Sequence, residues 1–174
     1  MIRFFTLFLP IGLAWGQSEA GAIFLLIEPG ASATGMGTAQ VAYAQSSNMS
    51  YYNPAGLSLL QNNDVSFSRV RWLPGLVDDF YHNFFSFKYS ISKKSAIGGH
   101  ITYLDLGEND TFMYASALSY SRNISNNKSF GINAKLIQQQ LHDFSGTGEV
   151  EKDTTFTDYG FDIGYMHQEW ILPD

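Results

Sequence analysis

"FSFKYSISKKSAIGGHITY", Phe85–Tyr103, is the stretch on which the fold turns. Phe85, Phe87, Tyr89 and Ile91 alternate with Ser86, Lys88 and Ser90. After the polar link Ser92-Lys93-Lys94-Ser95, Ile97, Gly99, Ile101 and Tyr103 continue the pattern, with His100 and Thr102 opposite. Side chains of a strand point alternately to its two faces, so a period of two sorts the apolar residues onto one face and the polar ones onto the other. A link this short and polar joins two such runs as an antiparallel hairpin.

The same pattern extends outward in both directions. Val65 and Phe67 alternate with Ser66 and Ser68 before Leu73-Pro74-Gly75 breaks the run. Downstream, Phe112, Tyr114, Leu118 and Tyr120 share a face, and Phe130, Ile132, Ala134 and Leu136 alternate with Gly131, Asn133 and Lys135. Tyr159, Phe161, Ile163 and Tyr165 stand opposite Asp158, Gly160, Asp162 and Gly164. Helical spacing fits these segments poorly, so they predict about six strands of roughly 8–11 residues. The links Ser92–Ser95 and Asn123–Lys128 are shorter than the stretches Leu73–Asp79 and His142–Thr155. Short turns at one end and long loops at the other are a habit of outer-membrane barrels.

Composition separates two versions of this sheet. The 174 residues are 16% aromatic but only 15% charged, and the mean hydropathy is -0.09. In a soluble sheet the polar face meets water and carries many Lys and Glu. Here it is built from Ser, Thr, Gly, Asn and Gln, while the apolar face is rich in Phe and Tyr, as on a lipid-facing wall with aromatic girdles. Lipid offers no partner for backbone N–H and C=O groups, so a sheet within it must close. The expected fold is therefore all-β, an antiparallel transmembrane β-barrel, of which about six strands are legible. There is no cysteine, so neither a disulfide frame nor thiol chemistry. A formal net charge of -6 argues against nucleic acid as a partner.

The N-terminus reads as an address. Arg3 gives a positive start, Phe4–Leu13 is an apolar run broken by Thr6, Pro10 and Gly12, and Ala14-Trp15-Gly16 puts small residues at positions suited to cleavage before Gln17. That layout predicts a signal peptide over 1–16 and export. Residues 17–62 are expected to form an N-terminal hatch of short helical or irregular structure, and 63–174 the first strands of the barrel. The boundary is "YYNPAGL", Tyr51–Leu57. Pro54 fixes φ and removes a donor, Asn53 is pushed toward extended geometry with an amide able to close a local turn, and Gly56 permits positive φ. A segment that precedes the first strand of a barrel has one home, the lumen. Gly35, Gly37, Ala39, Ala42 and Ala44 are small enough to let it pack against an inner wall. The expected plug residues are Gly35, Gly37, Asn53, Pro54, Ala55 and Gly56.

"GMGTAQVAYAQSSNMSYYNPAGLSLL", Gly35–Leu60, resembles the hatch segment of FadL-type outer-membrane channels. The resemblance is closer to the PorV/PorQ branch, through "GAIFLLIEPGASATGMG" (Gly21–Gly37), "RWLPGLVDDFYHNFFSFKYSI" (Arg71–Ile91) and "YLDLGE" (Tyr103–Glu108). It covers most of the chain from Gly21 to Tyr165. One departure is that Gln45-Ser46-Ser47 stand where FadL-type segments often carry acids before the Asn-Pro-Ala knot. The resemblance implies a barrel of about fourteen strands, of which this chain would be the N-terminal part. It also implies a bacterial outer-membrane location with lipid as a partner, and a role in type IX secretion that binds and shuttles cargo through its C-terminal signal domain, alongside secretion-system components. The alternative it implies is a passive channel for hydrophobic small molecules. Recognition is expected of the loop residues Trp72, Leu73, Pro74, Asp78 and Asp79.

No catalytic pattern stands out. His82, His100, His142 and His167 are scattered, without a ligand-pair spacing. Neither a G-x-S-x-G elbow nor an EF-hand loop is present. No enzyme activity, metal or cofactor is expected. Asp162 falls on the lumen face by alternation with Phe161 and Ile163. Asp105 shares parity with Ile101 and Tyr103, which places it beyond a bulge or at the end of its strand.

Overall fold

A computed structural model describes residues 22–75, 80–105, 112–141 and 154–168. Six strands follow one another: β1 (Asp64–Arg71), β2 (Tyr81–Ser92), β3 (Ser95–Asp105), β4 (Phe112–Ser125), β5 (Lys128–Leu141) and β6 (Thr154–His167). Each pairs antiparallel with the next, giving one sheet in the order β1-β2-β3-β4-β5-β6. Among the described residues the sheet is open, since β1 and β6 are its two edges. The chain is all-β as expected, and no described helix is long and apolar enough to cross a membrane.

The strands run somewhat differently from their sequence limits. β1 stops at Arg71, and Leu73 enters the left-handed region at φ 52. β4 continues to Ser125, so only Asn126 and Asn127 make the turn into β5, helped by a register shift between Asn123 and Ser125. A similar shift between Ser90 and Ser92 precedes the Lys93-Lys94 turn. Asp105 is the last residue of β3, which resolves its parity in favour of a strand end.

Residues 22–63 form a chain of short helical pieces. These are 3-10 turns at Ile23–Leu26, Ala39–Ala42 and Pro54–Leu59, with α1 (Ala31–Gly35) and α2 (Met49–Tyr52) between them. None is long enough to be stable alone, so tertiary contacts hold them. The segment lies along one face of the sheet. Near the long-loop end, Phe24 packs with Leu104 and Ala115. Near the short-turn end, Met49, Ala55 and Leu57 pack with Ala96 and Met166.

Candidate functional site

The face under the N-terminal segment is the polar one. His82, Ser86, Lys88, His100, Thr102, Ser119, Ser121, Ser129 and Asn133 are all buried there. Buried polar groups need partners, and the N-terminal segment supplies them for Ser86, Lys88, His100, Ser121 and Asn133. His82 and Thr102 bond to each other at 2.7 Å, while the Ser119 and Ser129 hydroxyls have no partner among the described residues. Ser47 and Ser86 share a hydroxyl hydrogen bond of 2.8 Å, and Ser86 donates to Asn48 Oδ1 at 2.9 Å. Asn133 Nδ2 donates to the Ser50 carbonyl at 2.7 Å and to Asp162 Oδ2 at 3.0 Å. His100 Nδ1 and Ser50 Oγ stand 3.2 Å apart. Ser121 donates to the Ala55 carbonyl at 2.9 Å and accepts from the Ser58 amide at 3.2 Å. Lys88 is 2% exposed, and its ammonium donates to the carbonyls of Leu60 (2.7 Å) and Asn62 (2.8 Å), where the segment hands over to β1.

Close approach is set by glycines of the wall. A Cβ on Gly131 would overlap the Pro54–Ala55 peptide, and one on Gly164 would overlap Asn53 Oδ1. A Cβ on Gly98 would meet Leu57 Cδ1 at 3.0 Å. The Asn-Pro-Ala-Gly knot sits in this cradle. Asn53 Oδ1 accepts from the Ala55 amide at 3.1 Å, while its Nδ2 donates to the carbonyls of Val41 and Tyr165, both at 3.2 Å. Pro54, Ala55 and Gly56 are buried.

The glycines of the segment behave otherwise than the sequence suggested. Gly35 and Gly37 are exposed, and an added Cβ would meet nothing within 4 Å, so they do not mediate close packing. Gly37 is needed for its φ of +62. Gly56 does not use positive φ. Its hydrogen leaves room for Met49, whose Cγ would lie 3.0 Å from a Cβ, and for Ala44 at 3.2 Å. Alternation within one segment shows the small residues of a strand, but not which of them another segment will press against.

Tyr51 and Tyr52 tie the segment to its own start. The Tyr51 hydroxyl donates to the Leu25 carbonyl, and that of Tyr52 to the Pro29 carbonyl at 2.7 Å. Burial first, and the neighbouring Glu28 carboxylate second, push Tyr51 up to about 12. The same two causes, in the same order, raise Tyr52 as well.

Asp162 lies on this covered face, bridged to Lys135 at 2.6 Å and half-buried. It helps line a cleft of about 350 Å³ between β6 and the segment, together with Tyr52, Asn53 and Gly164. Trp72, Leu73 and Pro74 are exposed just beyond β1, at the other edge of the sheet from β6. Asp78 and Asp79, like the signal peptide expected over 1–16, fall outside the described residues.

The opposite face carries the apolar rows, and nothing described covers it. Ladder pairing shows the rows directly. Phe67, Phe85, Ile101, Ser116, Leu136 and Tyr159 line up across the sheet, followed by Val65, Phe87, Gly99, Leu118, Ala134 and Phe161. Next come Tyr89, Ile97, Tyr120, Ile132 and Ile163. Phe161 is 81% exposed and Ile163 78%. Among the described residues these three rows hold no charge. Charges bracket them, with Arg69, Arg71 and Asp105 toward the long loops and Arg122 and Lys128 toward the short turns. The sheet is thus inside-out relative to a soluble one, its polar face buried and its apolar face bare.

No curated protein matches the chain. A family model does, that of the type IX secretion system protein PorV, over residues 17–169. That span takes in the covered polar wall, the segment lying on it and the bare apolar rows together, and the chain belongs to the PorV family of type IX secretion system proteins.

Proposed function

We propose that the chain contributes a lipid-facing wall to an outer-membrane β-barrel, and that it serves type IX secretion by binding exported cargo at its loop end and passing it on. One observation carries the membrane reading: the uncovered face has three consecutive rows without a charge, flanked on both sides by charged and tyrosine-bearing rows. Between the Arg69 row, at Asn83, and Ile91, β2 rises about 26 Å. At a tilt of about 45° that covers about 19 Å, which fits inside the apolar band of about 25 Å in such barrels. Tyr103 and Tyr114 pair directly on one flank of the band, and Tyr103 stacks on Phe112 with ring centroids 6.2 Å apart. Tyrosine at that level suits the membrane–water boundary, where its ring can stay in lipid and its hydroxyl in water.

On this reading the N-terminal segment fills the lumen as a plug, which supports a platform rather than an open pore. Recognition falls to the loop end, where Trp72, Leu73 and Pro74 are exposed. They would meet the C-terminal signal domains of cargo and partner components of the secretion system. The family match lends no support to the alternative, passive uptake of hydrophobic compounds.

A secretion assay tests the proposal. Deletion of the gene is expected to leave cargo bearing the C-terminal signal domain in the periplasm, and a copy carrying Trp72→Ala and Leu73→Ala is expected to restore export poorly. Normal export in the deletion strain, with loss of fatty-acid or aromatic uptake, would overturn it.

A further inference from the structure

We propose that Arg69 and Arg71 form a binding site for the phosphate group of an anionic lipid in the outer leaflet. The inference rests on the membrane reading above and adds a ligand to it. Both arginines are exposed, two residues apart on β1, and by the register they share the bare face with Phe67 and Val65. Arg69 stands directly above the first uncharged row and Arg71 one row further out, at the long-loop end. Arginine here is placed where hydrocarbon gives way to headgroups.

The geometry of Arg69 suits this task. Its guanidinium carbon sits 4.3 Å from the centre of the Tyr81 ring. A cation–π contact over the ring holds the guanidinium in place, and its N–H donors lie in the plane of the group. An in-plane fork is what a phosphate takes up, through two parallel hydrogen bonds. Asn83 is directly opposite Arg69 in the ladder and offers a neutral amide beside it. Arg71, paired opposite Tyr81, is already engaged within the protein and adds positive potential. Asp105 lies one strand further on, also across from Tyr81, and is itself engaged within the protein. The opposite rim has its own cations, Arg122 and Lys128, on the same face, which makes it an internal control.

The test uses the full-length protein in lipid nanodiscs, with bis-phosphorylated lipid A as probe and its dephosphorylated counterpart for comparison. Retained lipid is counted by native mass spectrometry. The phosphorylated probe is expected to be retained preferentially. Arg69→Gln and Arg71→Gln are each expected to weaken that retention about fivefold, as for one arginine beside an anionic surface, while Arg122→Gln leaves it unchanged. Equal retention of the two probes overturns the inference, as does an equal loss in Arg122→Gln. Displacement of the probe by inorganic phosphate alone also overturns it, because the source would then be the free anion. Failure of the unmodified protein to enter nanodiscs at all would instead sink the membrane reading, and with it the premise of the site.

Discussion

Asn53 Oδ1 occupies the space that a Cβ on Gly164 would need, so the Asn53–Gly56 knot and the sixth strand can touch only because that strand position is glycine. The same holds one strand away, where Gly131 faces the Pro54–Ala55 peptide. Backbone on backbone is the tightest packing available, and it converts a polar wall and a string of short helical turns into one unit.

Gly131→Ala and Gly164→Ala are expected to push the knot off the wall. Overpacking of this kind costs about 1–3 kcal/mol, more at Gly131, where the obstacle is main chain. Limited proteolysis between Tyr43 and Tyr52 should accelerate in both variants. Gly160→Ala is the control, since its Cβ would meet only Lys135 Cβ at 3.7 Å. Unchanged proteolysis in Gly131→Ala would show that the segment does not depend on this cradle.

Lys88→Met keeps the length of the side chain and removes the ammonium that holds the Leu60 and Asn62 carbonyls. Leaving a buried acceptor unpaired costs about 1–3 kcal/mol. The loss should be local. Amide exchange along β1, the edge strand that follows those carbonyls, is expected to rise while β4 and β5 stay protected. Uniform exchange across all six strands would argue against the anchoring role.

Alkaline titration should release the start of the segment. Tyr51 has its folded value raised from 10.0 to about 12. A raised value means that the folded form holds its proton more tightly, so the contribution is fully present below pH 10.0 and lost as pH climbs toward about 12. Tyrosinate absorbance should therefore show a late-titrating population, and cleavage near Leu25 should increase over the same range. Glu28→Gln removes the second cause and should move the window downward. A titration identical to that of free tyrosine would refute the burial of these hydroxyls.

Leu118→Arg places a charge in the middle of the uncharged rows. If those rows face lipid, the substitution costs about 2–4 kcal/mol at the membrane midplane, and the protein should fail to assemble in the outer membrane fraction. Ser119→Arg, one residue along, would instead collide with the covered face and act through packing. An outer-membrane yield for Leu118→Arg equal to that of the parent would be incompatible with a lipid-facing wall.

Much of the fold was legible because its signal is local. A period of two needs only a strand's own residues, and Phe85–Tyr103 displayed two strands, their turn and their faces without reference to anything distant. The identity of the polar residues, Ser and Asn in place of Lys and Glu, pointed further to a face that does not meet bulk water. The placement of Asp162 opposite Phe161 and Ile163 followed from the same arithmetic.

What the sequence could not decide was which residues of one segment press against which of another. Gly35 and Gly37 looked like packing residues and are exposed, while Gly131 and Gly164 looked like strand alternation and, with Gly98, form the cradle. The pairing of Lys88 with two carbonyls across some 26 to 28 residues, and of Arg69 with the Tyr81 ring, likewise depends on chain reversal and register. Alternation is written residue by residue into the backbone's geometry, whereas contact between segments is fixed only when turns and ladder register bring them to one place.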